Sequence, residues 1–261
     1  MLVFVKLGGS FITDKRAPEH FRAEETRRAA AELAEALHSQ MGMQLLVGHG
    51  SGSFGHVAAH KHGTMDGVRT PEQWRGFAEV GLVARRLNSL VLDALAGAEL
   101  PVLPVQPFAS ARCVDGRLSS LDAGPIWAAL EHNLVPVVYG DIALDPVRGG
   151  TIISTEMIFA YLAGRLRPER IVLLGETEGV YGADGVIIPR ITPRSFPAIE
   201  ASLGGSHGAD VTGGMASKVR SMLDLVTKTP GLEIHISGGG PGRIRSALLD
   251  KDAPGTALTA D

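Results

Sequence analysis

A chain of 261 residues is long enough to bury a substantial core, either as one large α/β unit or as two fused lobes. Hydrophobic residues make up 44% and aromatics only 5%, a globular composition whose core must be mostly aliphatic. Lys and Arg number 25 against 28 Asp and Glu, a net charge of −3 that supplies no basic field to gather nucleic acid.

The N-terminus reads Met-Leu-Val-Phe-Val and reaches Lys6 at once, with no basic n-region and too short an apolar run for a signal peptide. No later segment approaches the roughly 20 consecutive apolar residues of a membrane span, so the chain reads as cytoplasmic. Leu2 to Lys6 is a short aliphatic run of the kind that forms a buried parallel strand. It leads into Lys6-Leu7-Gly8-Gly9-Ser10, which puts a lysine and two glycines at the carboxyl edge of the sheet, where ligands bind in such folds. Glycines let backbone N–H groups approach a phosphate, and an ammonium offsets charge during phosphoryl transfer. The same residues also read as a plain strand-to-turn junction. They are not a P-loop, because the four-residue spacer and Gly-Lys-Ser/Thr are absent.

Ala23 to Ser39 carries Ala30, Leu33, Ala34 and Leu37 at helical spacing. Gln44 to Val47 is a second strand, and it opens into Gly48-His49-Gly50-Ser51-Gly52-Ser53-Phe54-Gly55-His56. That loop spends more backbone freedom than a reversal needs. It reads as an anion cradle backed by a helix N-terminus, with His56 able to donate to a phosphate oxygen. Pro71 to Ala96 is a long helix whose Trp74, Phe77, Val80, Val83 and Leu87 form a core face. Between Val102 and Leu121, and between Asp141 and Ile153, short apolar pieces broken by Asp115-Gly116 and Arg148-Gly149-Gly150 predict antiparallel hairpins hung on the sheet. Cys113, the single cysteine, excludes an intramolecular disulfide and reads as a buried thiol.

Helices at Ala123 to His132, Glu156 to Gly164 and Ala216 to Thr227 alternate with strands at Leu134 to Tyr139, Ile171 to Leu174 and Glu233 to Ile236. This alternation predicts an α/β sheet with helices on both faces. Val211-Thr212-Gly213-Gly214-Met215-Ala216-Ser217-Lys218 starts the late helix and places Lys218 in its first turn, where positive charge is unfavourable unless an anion is near. An exposed lysine on an ordinary helix is the plain alternative. Ser237-Gly-Gly-Gly-Pro-Gly242 reads as a surface turn, and His20, His60 and His62 as solvated. No repeat or long linker divides the chain. It reads as one domain, with residues 1–165 forming a substrate-side lobe and 166–261 a nucleotide-side lobe.

Taken in order, Lys6-x-Gly-Gly-Ser10, Thr13-Asp-Lys15, His49-Gly-x-Gly-Ser-Phe-Gly-His56, Val135-Pro-Val-Val-Tyr-Gly-Asp141, the acidic loop to Gly179-Val180-Tyr181, and Thr212-Gly-Gly-Met-x-x-Lys218 run nearly end to end. In them the chain resembles the amino-acid kinase superfamily, and the Ser-Phe-Gly-His ending points to its isopentenyl phosphate branch; fosfomycin kinases carry a similar Phe-Gly-His. The resemblance implies a three-layer αβα open, mainly parallel sheet with β-hairpins on the substrate lobe, a homodimer, ATP as donor and isopentenyl phosphate as acceptor. It implies that Lys6, Lys15 and Lys218 surround the transferring phosphoryl group and that His56 holds the substrate phosphate. Gly8, Gly9 and Ser10 would line the ATP phosphates, with Ser51 and Gly55 supplying neighbouring amides. Gly50 and Thr155 would contact substrate, and Glu176, Gly179, Gly214 and Lys218 would border the nucleotide. Asp141 would orient the lysines.

A phosphate-monoester acceptor has its second ionisation near 6, so at neutral pH the nucleophile is already an oxyanion and no general base is needed. Catalysis is then positioning plus cancellation of repulsion between polyanions, for which cations and N–H groups are the right equipment. An alcohol acceptor would call for a carboxylate base, for which Asp141 is the nominee. The rival readings are a kinase for another small phosphate or phosphonate, such as fosfomycin, and a nucleotide-binding regulatory or storage protein without catalysis. Retention of three lysines argues against the latter. Ser154-Thr155-Glu156 stands where the family usually reads Ser-Gly-Asp, and Gly175-Glu176-Thr177-Glu178-Gly179 where Thr-Asp-Val-Asp-Gly is common. Negative charge remains while its reach changes. Neither loop resembles a metal cage, so Mg²⁺ is expected to arrive between the phosphates of ATP.

Overall fold

A computed structural model describes residues 1–14, 16–203, 214–250 and 252–260. Its first strand, β1 (Leu2–Leu7), sends Val3, Val5 and Leu7 into one apolar cluster and Phe4 into another, all fully buried. A strand buried on both faces belongs in the middle layer of a three-layer fold. The chain continues through α1 (Gly9–Ile12), α2 (Ala23–Ser39), β2 (Gln44–His49), α3 (Gly52–His62) and α4 (Pro71–Ala96). Next come β3 (Val102–Pro104), β4 (Arg112–Val114), β5 (Arg117–Ser120), α5 (Gly124–Glu131), β6 (Val135–Tyr139), β7 (Asp141–Asp145) and β8 (Gly149–Ile153). The remainder is α6 (Thr155–Leu166), β9 (Arg170–Gly175), β10 (Arg190–Ile191), α7 (Phe196–Leu203), α8 (Gly214–Lys228), β11 (Glu233–Gly238), α9 (Arg243–Leu249) and β12 (Thr256–Leu258).

The main sheet has the order β10-β12-β11-β9-β1-β2-β6-β3 and is parallel from β11 through β3, with β12 antiparallel to β11. Ala29 and Leu33 of α2, Ala58 of α3, Leu87 of α4 and Ile244 of α9 pack with Val3 on one face. Ile126 of α5, Phe159 of α6 and Met222 of α8 pack with Phe4 on the other. This is the αβα architecture expected from the alternation of elements, and α2 and α4 occupy the expected bounds. Helix α4 starts where it does because Thr70 and Gln73 form a capping box around Pro71 at the first helical position.

Hairpins β4–β5 and β7–β8 form a separate four-stranded sheet, β5-β4-β7-β8, as the turn signals predicted. One piece of the expected hairpin region goes elsewhere: Val102–Pro104 joins the main sheet as a parallel edge strand, with Val102 opposite Val135. The two hairpin turns are closed by Asp145, whose carboxylate accepts from the N–H groups of Asp115, Gly116, Val147 and Arg148 at 3.2, 2.7, 2.8 and 3.0 Å. Burial raises that carboxyl's pKa, and the four donors more than reverse it, so it lies below its ordinary value.

Several amides of the Gly-rich turn after β11 are already taken within the protein. Buried Glu32 of α2 accepts from the N–H groups of Gly242, Ile244 and Arg245 at 2.9, 3.0 and 3.1 Å, and Arg28 donates to the Gly239 carbonyl at 2.6 Å. The start of α9 is thus capped by the protein's own carboxylate. Cys113 is buried, and burial pushes its thiol up to about 11. His62 is not simply solvated: its Nε2 lies 2.8 Å from Glu79, which also accepts from Lys61 at 3.0 Å. Among the described residues no helix is long and apolar enough to cross a membrane.

Candidate active site

Strands β1 and β2 run side by side, Lys6 opposite Gly48 and Leu7 opposite His49, so their two glycine loops leave the sheet together. They interlock backbone against backbone. A Cβ on Gly9 would stand 2.5 Å from the Gly52 nitrogen, and one on Gly50 would stand 2.9 Å from the Gly9 nitrogen. Thr13 Oγ1 donates to the Gly9 carbonyl at 2.7 Å and accepts from the Ser53 N–H at 2.9 Å, which joins the two loops at their far end. Gly9 and Ser10 are not a loose loop, because they open the single turn α1. Ser10 and Gly50 are half-buried at the sheet's carboxyl edge, as is Ser51 at the start of α3.

The N–H groups of this cradle are not all available to a ligand. That of Gly8 donates to Leu174 at 2.9 Å and that of Gly50 to Leu7 at 3.0 Å. Gly55, expected to offer an amide to phosphate, donates instead to the Ser51 carbonyl at 3.1 Å, inside the first turn of α3. Glycine is required there because a Cβ would meet the Ser51 side chain at 2.5 Å. His56 follows on the exposed side of α3.

Facing the cradle, Ser154 caps α6 by accepting from the Met157 N–H at 3.1 Å, and this sets Glu156 in the helix's first turn. Glu156 forms an ion pair with Lys6, whose side chain is 12% exposed. Burial alone would raise the Glu156 pKa, but attraction by Lys6, its hydrogen bond and the further charge of Lys218 outweigh it, so the carboxyl lies below its ordinary value. Lys6 pairs directly with this carboxylate, and the charge of Lys218, from the other end of the chain, also acts on it. Gly214, at φ +70°, starts the helix that carries Lys218. Lys15, Thr212 and Gly213 lie outside the described residues.

Two expectations change. Thr155 is buried and donates to the His49 carbonyl at 2.6 Å, so its hydroxyl ties α6 to β2 and does not face a substrate. Asp141 accepts from the N–H groups of Phe108 and Ile142 at 3.1 and 2.9 Å and from Tyr139, while the lysine-orienting contact belongs to Glu156. Sequence reasoning marked Glu156 only as a departure; its signal was position, two residues after a Ser N-cap at a strand end.

Burial raises the Asp141 carboxyl from 3.8 to about 6, with the three hydrogen bonds only partly opposing it. The folded state then holds this proton more tightly than the unfolded chain, so this group's contribution to stability is greatest below pH 4 and is lost as pH rises through about 6. Asp141→Asn is expected to remove this term. The stability of D141N relative to the parent should rise by up to about 3 kcal/mol between pH 4 and pH 7 in urea titrations. A difference that stays flat with pH would contradict the shift.

In the loop after β9, Glu176 pairs with Arg22 at 3.1 Å and Glu178 with Arg243 at 2.9 Å, so both longer acids have found cations. Gly179 is packed in the interior, where a Cβ would come within 2.8 Å of Ile187 and 3.0 Å of Thr256. Among the described residues no three His, Cys, Asp or Glu side chains converge to hold a metal.

An open sheet with interlocked glycine loops and a lysine–carboxylate pair at one edge is a phosphotransferase type of site. The chain belongs to the amino acid kinase family, whose profile matches residues 1–237. It is 36% identical over 272 residues to an isopentenyl phosphate kinase of Methanothermobacter thermautotrophicus, covering 99% of both chains. It is 39% identical over 249 residues to one of Haloferax volcanii, covering 93% of this chain and 98% of that one. Among solved structures, an X-ray structure of isopentenyl phosphate kinase superposes with a TM-score of 0.83 at 33% identity, over 99% of this chain and 100% of the other.

Proposed function

We propose that this protein is an ATP-dependent kinase that phosphorylates isopentenyl phosphate to isopentenyl diphosphate by direct in-line transfer. The observation that carries the reading is the Lys6–Glu156 ion pair beside two interlocked glycine loops, with the charge of Lys218 acting on the same carboxylate, in a chain alike over nearly its whole length to isopentenyl phosphate kinases. ATP suits the cradle chemically, because the groups gathered there are backbone amides and the Lys6 ammonium, which match a polyphosphate. ATP would supply the phosphoryl group, and Mg²⁺ accompanying it would screen its phosphate charge, since no cluster of side chains among the described residues would hold the metal by itself. Lys6 and Lys218 offset the charge that develops as the bond to ADP breaks and the bond to the acceptor oxygen forms. Lys15 is assigned to the same group of cations. Glu156 holds the lysines in place without taking a proton, since the acceptor is already an oxyanion. His56 holds the acceptor phosphate, Gly9, Ser10 and Ser51 meet the phosphates, and Glu176 and Gly214 border the nucleotide. Residues 1–165 form the acceptor lobe and 166–261 the nucleotide lobe of a cytoplasmic homodimer.

The test is phosphoryl transfer from Mg-ATP to a panel of isopentenyl phosphate, dimethylallyl phosphate, a longer prenyl phosphate, fosfomycin and UMP. Isopentenyl phosphate is the expected best acceptor, and turnover confined to fosfomycin or UMP would overturn the reading. His56→Ala should lower kcat/KM for isopentenyl phosphate by about 10²-fold with the KM for ATP unchanged, the signature of one lost charge-assisted hydrogen bond to the acceptor.

A further inference from the structure

Beneath the second glycine loop lies a polar side chain with no part in the transfer just described. His49, the last residue of β2, is 1% exposed and stacks on Tyr139 of the adjacent β6, with centroids 5.5 Å apart and planes 8° from parallel. Its Nδ1 lies 3.1 Å from the Gly50 carbonyl oxygen, and its Nε2 lies 3.1 Å from the amide oxygen of buried Asn88 on α4. A carbonyl only accepts, so Nδ1 carries a proton. Burial lowers the ring's pKa, which leaves Nε2 bare in the neutral ring. A half-turn of the Asn88 amide then brings its NH₂ to the same point.

The Gly50 carbonyl belongs to the Gly50–Ser51 peptide, and every described peptide bond is trans. In a planar trans peptide the C=O and the N–H point in opposite directions. A carbonyl drawn inward to His49 therefore turns the Ser51 N–H outward, to the carboxyl edge of the sheet. Gly50 has no Cβ to restrict its own ψ, so the His49 contact acts together with the packing of the interlocked loops to fix the plane of that peptide.

We propose that His49 is a positioning residue that, through the Gly50 carbonyl, aims the Ser51 N–H at a bound phosphate group, with Asn88 holding the ring in the required tautomer. This rests on reading the loop as a phosphate site. The test uses His49→Phe, which keeps the ring stack on Tyr139 and removes both nitrogens, with inorganic phosphate as the probe. In the parent protein, phosphate should shift the Ser51 amide resonance, and the imidazole ¹⁵N shifts should report the Nδ1–H tautomer. In H49F, phosphate affinity should fall about tenfold, and KM for the phosphate acceptor should rise more than kcat falls, at a melting temperature within a few degrees of the parent. Unchanged phosphate affinity in folded H49F, or an Nε2–H tautomer in the parent, would overturn the inference and leave the kinase reading standing. If H49F does not fold, the parent's tautomer and Ser51 shift decide alone. Failure of the parent to bind phosphate would overturn both readings, whereas loss of isopentenyl phosphate turnover with phosphate binding intact would overturn only the substrate.

Discussion

Lys6→Met is expected to lower kcat by on the order of 10³-fold while the protein remains folded. Lys6 leaves the end of β1 with its side chain largely enclosed, at the point where the glycine loops and the first turn of α6 meet. An ammonium in such a place acts at low local dielectric, where its charge is worth far more than in water. Methionine fills similar volume without that charge. The substitution also takes from the Glu156 carboxylate its ion-pair partner, so K6M should lose about 1–3 kcal/mol of stability. Adding Glu156→Gln removes the stranded charge. K6M/E156Q should therefore regain most of the stability and none of the turnover, as read by urea denaturation and by ADP release. If K6M kept kcat within about tenfold of the parent, Lys6 would be a structural partner of Glu156 and nothing more.

Gly52→Ala should be among the most damaging single-methyl additions in the chain. Gly52 sits at φ +46°, and its added Cβ would fall on Thr13 Oγ1 and stand 2.6 Å from the Gly9 carbonyl oxygen. The atoms struck are those that join the two cradles, so relief must separate the loops. Gly63 supplies the control: it ends α3 at φ +59°, and an added methyl there would have nothing within 4 Å. Both replacements carry the left-handed cost of about 1–2 kcal/mol, and only G52A adds the collision. G63A should lose about 1 kcal/mol and keep full turnover, whereas G52A should lose at least about 3 kcal/mol and most of its phosphate binding. Equal losses in the two variants would mean that the close approach of the loops carries no weight.

Much of the site is legible in the amino-acid sequence. The three segments at Lys6, Gly48 and Lys218 stand out because strand-to-helix junctions with that many glycines have few structural uses. Their meeting at one sheet edge follows from a parallel sheet, whose strand ends all face the same way. What could not be read was which groups are spoken for. Gly55 lost its expected role because α3 begins at Gly52, and its N–H falls inside the first turn. Thr155 and Asp141 lost theirs because their oxygens are used by His49 and by the backbone at Phe108 and Ile142.

Local pattern by itself determined the alternation of strands and helices and the glycine-rich junctions, because helix periodicity and turn chemistry act over a few residues. Tertiary structure alone decided that Lys6 and Glu156, 150 residues apart, share a charge, that Arg22 and Arg243 answer Glu176 and Glu178, and that Glu32 occupies the amides at the start of α9. Those choices depend on strand order and on the low dielectric of the places where the chain meets itself, neither of which has a local signature.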